Sequence, residues 1–170
     1  MMVRNLKTNI RSRQLAFALL IVACFSFMVP AQGQGQGQET ERPVRLKDVP
    51  QAVQLQVRNL SRGANVRGLS VETKDSQTYY EVSLNVKSRI KDVLIDPEGK
   101  IVEIEEQIPL ASLPPAAKGG IVKHAGKGRI LVVESITKDN TIVAYEAHVR
   151  TAGKISEIKV DPDGKLLPPE

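Results

Sequence analysis

The chain has 170 residues, of which 41% are hydrophobic, and its 24 Lys and Arg against 19 Asp and Glu give a formal net charge of +5. This excess comes from the beginning of the chain, because residues 1–31 hold four of the basic residues and none of the acidic ones. The rest is nearly neutral, so we predict no nucleic-acid partner, which would require a basic surface. Cys24, the only cysteine, also lies in residues 1–31, which leaves no disulfide, thiol nucleophile or thiolate metal ligand elsewhere.

Residues 1–31 have the pattern of a secretory signal peptide. A basic start is followed by residues 15–29, which are almost entirely apolar, and then by the small residue Ala31. The apolar stretch is shorter than the ~20 residues of a typical transmembrane helix. We therefore predict an exported protein, periplasmic or secreted, with no membrane span after cleavage. The alternatives are an uncleaved anchor and a lipoprotein anchored through Cys24, since the Ile-Val-Ala before this cysteine is similar to a lipobox.

A low-complexity segment follows the predicted signal peptide. Residues 32–38 have the sequence QGQGQGQ, which offers no apolar side chain to bury and leaves the backbone wide freedom. We therefore predict that residues 32–43 form a flexible spacer.

The rest of the chain contains an internal repeat with an offset of 64 to 65 residues. The sequence DPEGK at 96–100 returns as DPDGK at 161–165, and apolar positions match apolar positions between the copies. We therefore predict an α+β fold of two tandem modules, residues 44–107 and residues 108–170. Each module would pack a short helix, or a helix pair, on an antiparallel sheet of about four strands.

Each copy begins with a predicted helix. In the first copy an apolar stripe has the 3.6-residue period of a helix, formed by Val49, Val53, Val57 and Leu60. In the second copy the stripe is formed by Leu113, Ala117, Ile121 and His124. The pair Gly119-Gly120 lowers helix propensity by about 1 kcal/mol for each glycine, so we expect the second helix to be weaker. Its end is predicted at Gly126 or Gly128.

Alternating polar and apolar residues predict strands after each helix, with one apolar face and one solvated face. The apolar positions are Tyr80, Val82, Leu84 and Val86 in the first copy and Tyr145, Ala147 and Val149 in the second. The polar positions between them, together with the adjacent Tyr79, form the predicted partner-facing set, which is Tyr79, Glu81, Ser83, Asn85, Glu146, His148 and Arg150.

The repeated D-P-[ED]-G-K segments are predicted to be β-hairpin turns that link the last two strands of each copy. Asp begins such a turn by bonding the backbone ahead of it, Pro fixes φ at the next position, and Gly takes a left-handed conformation. The structural positions are Asp96, Pro97 and Gly99 in the first copy and Asp161, Pro162 and Gly164 in the second. The alternative is a calcium loop, but the residues that follow do not supply the further ligands that such a loop needs.

The order of these motifs resembles the PepSY-like group of bacterial exported domains, which are also described as β-lactamase-inhibitor-like. The resemblance rests on Leu113-Pro114 at the second helix, on Tyr-Glu-Val and Tyr-Glu-Ala in the strands, and on the two turns, and it covers about residues 46–170. It implies helices packed on an antiparallel sheet of about four strands in each module, with the modules side by side. It also implies a role in inhibiting or regulating proteases of the cell envelope.

The sequence contains no H-E-x-x-H, G-x-S-x-G or P-loop motif, so we predict a protein that is not an enzyme. We assign no catalytic, cofactor-binding or metal-binding residue and no cofactor. His124 lies among lysines and is interpreted as a packing or capping residue. The predicted function is binding of another envelope or extracellular protein through the polar strand face. The alternative is a small-ligand or metal-binding protein that uses His148 with Glu146.

Overall fold

The computed structural model of the protein describes residues 40–74 and 76–168. The predicted signal peptide, residues 1–31, and residues 32–39 of the predicted spacer lie outside this part of the chain. Within it, no helix is long and apolar enough to cross a membrane.

The described residues form one antiparallel sheet of eight strands, in which each strand pairs with its neighbours in sequence. The strands are β1 (Thr40–Pro43), β2 (Asn65–Lys74), β3 (Gln77–Val86), β4 (Arg89–Ile95), β5 (Ile101–Gln107), β6 (Arg129–Lys138), β7 (Thr141–Thr151) and β8 (Lys154–Val160). Helix α1 (Gln51–Leu60) precedes β2, and helix α2 (Pro115–Ala125) lies between β5 and β6. Short 3-10 turns occupy Leu46–Asp48, Ser61–Gly63 and Leu110–Ser112.

The predicted fold class, two tandem helix-on-sheet modules with a sheet of about four strands each, is wrong. Strands β5 and β6 pair from Ile104 with Thr137 to Gln107 with Glu134, so the two halves share a single sheet. A strand edge presents unpaired N–H and C=O groups, and joining the two halves satisfies these groups on both inner edges.

The predicted flexible spacer also extends too far into the folded part. Thr40–Pro43, its last four residues, pair with β2 as the edge strand β1. Backbone pairing does not require apolar side chains, so the polar composition of this segment did not reveal the strand. Pro43 is compatible with this position because an edge strand has one side without ladder hydrogen bonds.

Both helices pack on the same face of the sheet, which we call the helical face. Val53 and Val57 of α1 are buried against residues of β3 and β4, which are Val82, Leu84, Val93 and Ile95. Ala117 and Ile121 of α2 are buried against residues of β6, β7 and β8, which are Val133, Tyr145, Ala147, Val149 and Val160. The apolar strand positions predicted from alternation therefore face the helices.

The predicted stripe of α2 is wrong at its last position. His124 is exposed, and Ala125, which is 9% exposed, takes the buried position instead. Residues four apart lie on the same face of a helix, so Ala125 shares the buried face of Ile121. Gly126 follows as the C-cap with φ 54°, as predicted for the end of the helix.

The two D-P-x-G-K segments form tight turns of the same construction. In the first, the N–H of Asp96 donates to the carbonyl of Lys100 (2.9 Å), and its carboxylate accepts from the N–H of Lys100 (2.8 Å). In the second, Asp161 makes both bonds with Lys165, each at 2.9 Å. The first turn joins β4 to β5, whereas the second is followed by a single bridge between Val160 and Leu166.

Gly120 has a structural role that helix propensity alone does not reveal. Gly164 of the second turn has φ 82°, and its backbone lies directly against α2. A Cβ on Gly120 would overlap the carbonyl oxygen of Gly164, whereas a Cβ on Gly119 would meet nothing within 4 Å. Of the two adjacent glycines, only Gly120 is needed for the close approach of turn and helix.

We expect Gly120→Ala to lower the free energy of unfolding by about 2 kcal/mol, because the turn must move away from α2 to admit the methyl group. The matched variant Gly119→Ala should raise it by up to about 1 kcal/mol, since alanine has the higher helix propensity and the site is open. Urea denaturation of the two variants beside the parent protein measures both effects. Equal stability of the two variants would contradict the close approach.

Candidate functional site

The face of the sheet opposite the helices, which we call the open face, carries mainly polar side chains. Cross-strand pairing aligns them in rows that run over several strands. One row contains Glu81, Leu94 and Glu103, and the next contains Ser83, Asp92 and Glu105. A third row contains Gln107, Glu134, Glu146 and Lys159.

Carboxylates from four strands line a depression of about 150 Å³ on the open face, which we call the acidic depression. Its lining consists of Glu72, Lys74, Glu81, Asp92, Leu94, Glu103 and Glu105. Lys138, at the rim, places its Nζ 2.6 Å from Oε2 of Glu103. The depression is therefore rich in negative groups and has basic groups beside them.

Burial and mutual repulsion change the proton affinity of these carboxyls. The pKa of Glu81 is raised to about 7, mainly by burial and to a smaller extent by the nearby charge of Asp92. The pKa of Glu105 is raised to about 8, mainly by burial and to a smaller extent by the charges of Glu103 and Glu146. Burial also raises the pKa of Asp92, although a hydrogen bond from Ser83 opposes the change. The charge of the depression therefore varies across the neutral pH range.

A second group of charged side chains lies on the same face where β6, β7 and β8 meet. Nε2 of His148 is 3.4 Å from Oε2 of Glu134 and 3.4 Å from Oε1 of Glu146. Nζ of Lys159 is 3.3 Å from the other oxygen of Glu146, Oε2. We call these four residues the His148 cluster. Its two carboxylates have side chains only 11% and 12% exposed, so each needs the nearby cationic groups.

The pKa values in the His148 cluster follow from these contacts. Hydrogen bonds with Glu134 and then with Glu146 raise the pKa of His148 to about 10, against the opposing effect of burial. Burial alone would raise the pKa of Glu146, but hydrogen bonds from His148 and Lys159 outweigh it and lower the pKa. The cationic groups of His148 and Lys159 thus balance the carboxylates of Glu134 and Glu146.

The structure places the predicted partner-facing residues in different surroundings. Glu81 contributes to the acidic depression, with Ser83 in the neighbouring row, whereas Glu146 and His148 belong to the His148 cluster. Asn85 accepts a hydrogen bond from the N–H of Ser88 (3.0 Å), so it supports the turn between β3 and β4. Tyr79 and Arg150 belong to neither group. Tyr79 pairs with Glu72 across β2 and β3, and its hydroxyl donates to Gln77, whereas Arg150 is exposed.

Several residues of the open face were not among the predicted site residues. Glu103 and Glu105 are two of these, although alternation in the sequence IVEIEE places both on one face of β5. Asp92 and Glu134 have no such local pattern. They enter the site only through the registers of β4 with β5 and of β6 with β7.

Comparisons with known proteins identify the fold. No family model and no curated protein matches the sequence. Among solved structures, a Bacteroides eggerthii protein described by inference as periplasmic has a TM-score of 0.57 and 17% identity, over 71% of this chain and 86% of that chain. A DUF2874 family protein from Bacteroides ovatus has a TM-score of 0.54 and 18% identity, over 71% and 85%. A BLIP-like protein from Bacteroides fragilis has a TM-score of 0.51 and 21% identity, over 71% and 84%.

These similarities define the class of fold: an antiparallel sheet with helices on one face. The chain shares this fold with DUF2874 family and BLIP-like proteins. At 17–21% identity, the comparison concerns the fold and not the identity of side chains on the open face.

Proposed function

We propose that this protein is an exported, non-catalytic binding protein of PepSY-like type that binds another envelope protein through the open face of its sheet. The observation that carries the proposal is the acidic depression, in which carboxylates of β2, β3, β4 and β5 converge. The signal-peptide pattern of residues 1–31 supports export, with cleavage after Ala31. The description of a structural neighbour as periplasmic agrees with the same location.

The chemistry of the depression favours a basic segment on the partner. Lys or Arg side chains entering it would pair with Asp92 and Glu103 and would relieve the repulsion that raises the pKa of Glu81. Such a partner fits inhibition or regulation of an envelope peptidase, the role implied for PepSY-like domains. One neighbour of the same fold is described as BLIP-like.

The test is a quantitative pull-down from envelope extract, with the protein expressed with its own leader and used as bait. We expect one envelope protein to be enriched by the parent protein and strongly reduced with the double variant Glu81→Gln, Asp92→Asn. Because this variant removes repulsion between carboxylates, it should remain folded, and loss of binding would then report on the surface itself.

The matched control is Asp163→Lys, which changes the charge of an exposed residue in the second turn, on the helical side of the sheet. It should retain the partner. Equal capture by parent and double variant would refute binding through the acidic depression, as would loss of the partner with Asp163→Lys alone.

A further inference from the structure

Three groups able to bind a metal ion meet in the His148 cluster. Glu134 and Glu146 are directly paired across β6 and β7, and His148 follows Glu146 by two residues, so all three lie on the open face. One ligand atom from each residue lies within 4.8 Å of the other two. The strand register, rather than a flexible loop, positions all three groups.

The separations in the cluster match those between ligands of one ion. In a tetrahedral zinc site with metal–ligand distances of ~2.0–2.1 Å, neighbouring ligand atoms are about 3.3–3.4 Å apart. Nε2 of His148 lies 3.4 Å from a carboxylate oxygen of Glu134 and 3.4 Å from one of Glu146. The ligand oxygens of Glu134 and Glu146 lie within 4.8 Å of each other.

The electrostatics and the surroundings also suit a divalent cation. Glu134 and Glu146 are buried, with 8% and 9% of each residue exposed, and a divalent cation that replaces the proton of His148 would compensate their charges at close range. Lys159 contacts the oxygen of Glu146 that faces away from His148, and it can keep this contact as an outer partner of a metal-bound carboxylate. The His148 side chain is 25% exposed, which leaves a route from solvent.

We infer that Glu134, Glu146 and His148 form a Zn²⁺ site, with water in the fourth position. Zinc accepts both imidazole nitrogen and carboxylate oxygen, and three protein ligands with water in the fourth position is the arrangement of a zinc site with an open position. Ca²⁺ is disfavoured, because it takes six to eight oxygen ligands and this site offers a nitrogen and two carboxylates. The inference goes beyond partner binding and does not depend on it, since the acidic depression uses other residues.

Isothermal titration with ZnCl₂ tests the site, using protein made without a histidine tag and freed of metal by chelation. We expect saturable binding of one Zn²⁺ per chain and an increase in melting temperature with Zn²⁺, since an ion that binds only the folded state stabilises it. Glu134→Gln and His148→Gln should each weaken binding at least tenfold. His124→Gln, which changes the exposed histidine of α2, should leave it unchanged.

Proton NMR of the imidazoles provides a second measurement that does not depend on variant stability. In the parent protein, Zn²⁺ should shift the resonances of His148 and leave those of His124 in place. Absence of saturable binding, or binding that His124→Gln abolishes and Glu134→Gln retains, would overturn the assignment. Shifts of both histidines in proportion to added Zn²⁺ would also overturn it, because they would indicate nonspecific binding.

Discussion

Ile121→Ala is expected to lower the free energy of unfolding by about 3 kcal/mol, and Val53→Ala by about 2 kcal/mol, each within one cooperative transition. Both side chains are 0% exposed, and each is the centre of the contact between a helix and the sheet. Truncating such residues removes buried methyl groups and leaves a cavity. Because β5 and β6 pair directly, loss of either helix contact should destabilise the whole sheet and not only one half.

The chain offers matched controls beside each core residue. Val122 follows Ile121 on α2 and is 49% exposed, and Leu55 lies near Val53 on α1 and is 58% exposed. Val122→Ala and Leu55→Ala should change stability by less than about 0.5 kcal/mol. Urea unfolding followed by far-UV circular dichroism and by tyrosine fluorescence measures all four variants. Two separate transitions, each sensitive to one core variant, would show that the halves unfold independently despite the shared sheet.

The sequence predicts local structure well because local structure depends on residues close in the chain. The apolar stripe of Val53 and Val57 and the alternation through Val82 and Leu84 both place the side chains that the structure buries. The pairing of β5 with β6 leaves no such pattern. The backbone of an inner strand needs a hydrogen-bonding partner on both sides. Because backbone groups are nearly the same in every residue, the sequence of one strand does not indicate which strand will be its partner.

The same reasoning explains which parts of the open face were predicted. Glu146 and His148 lie two residues apart on one strand, so alternation alone puts them on one side. Glu134 joins them only because β6 pairs with β7 in a register that is interrupted between Ile130 and Val132. A bulge of this kind shifts every pair on one side of it, and a single sequence gives little indication of its position.

Raising the pH from 5.5 to 8.5 is expected to lower the free energy of unfolding by about 2–3 kcal/mol. The pKa of Glu81 rises from 4.5 to about 7 on folding, and that of Glu105 from 4.5 to about 8. In this window the folded protein holds protons that the unfolded chain has released. The stabilisation is therefore complete below about pH 4.5 and is lost as the pH rises through 7 and 8.

The other shifted groups of the open face do not reverse this direction. The raised pKa of His148 adds stability that is complete below its ordinary value of 6.5 and is lost as the pH rises from there through about 10, which is the same direction. The lowered pKa of Glu146 acts below its ordinary value of 4.5. Each pKa unit corresponds to about 1.4 kcal/mol, but water still reaches the half-buried carboxyls, so the expected total is smaller than the full shifts imply.

Glu105→Gln identifies the source of the pH dependence. A glutamine keeps the size of the side chain and removes the charge, so the variant should be more stable than the parent at pH 8.5 and about equal at pH 5.5. Glu98→Gln, at an exposed position of the first turn, should follow the parent at both values. Urea unfolding in metal-free buffers at the two pH values measures the difference. The contrary result would be a parent protein that is more stable at pH 8.5 than at pH 5.5. It would mean that the carboxyls of the acidic depression ionise at little cost in free energy. A basic partner would then gain nothing by relieving their repulsion.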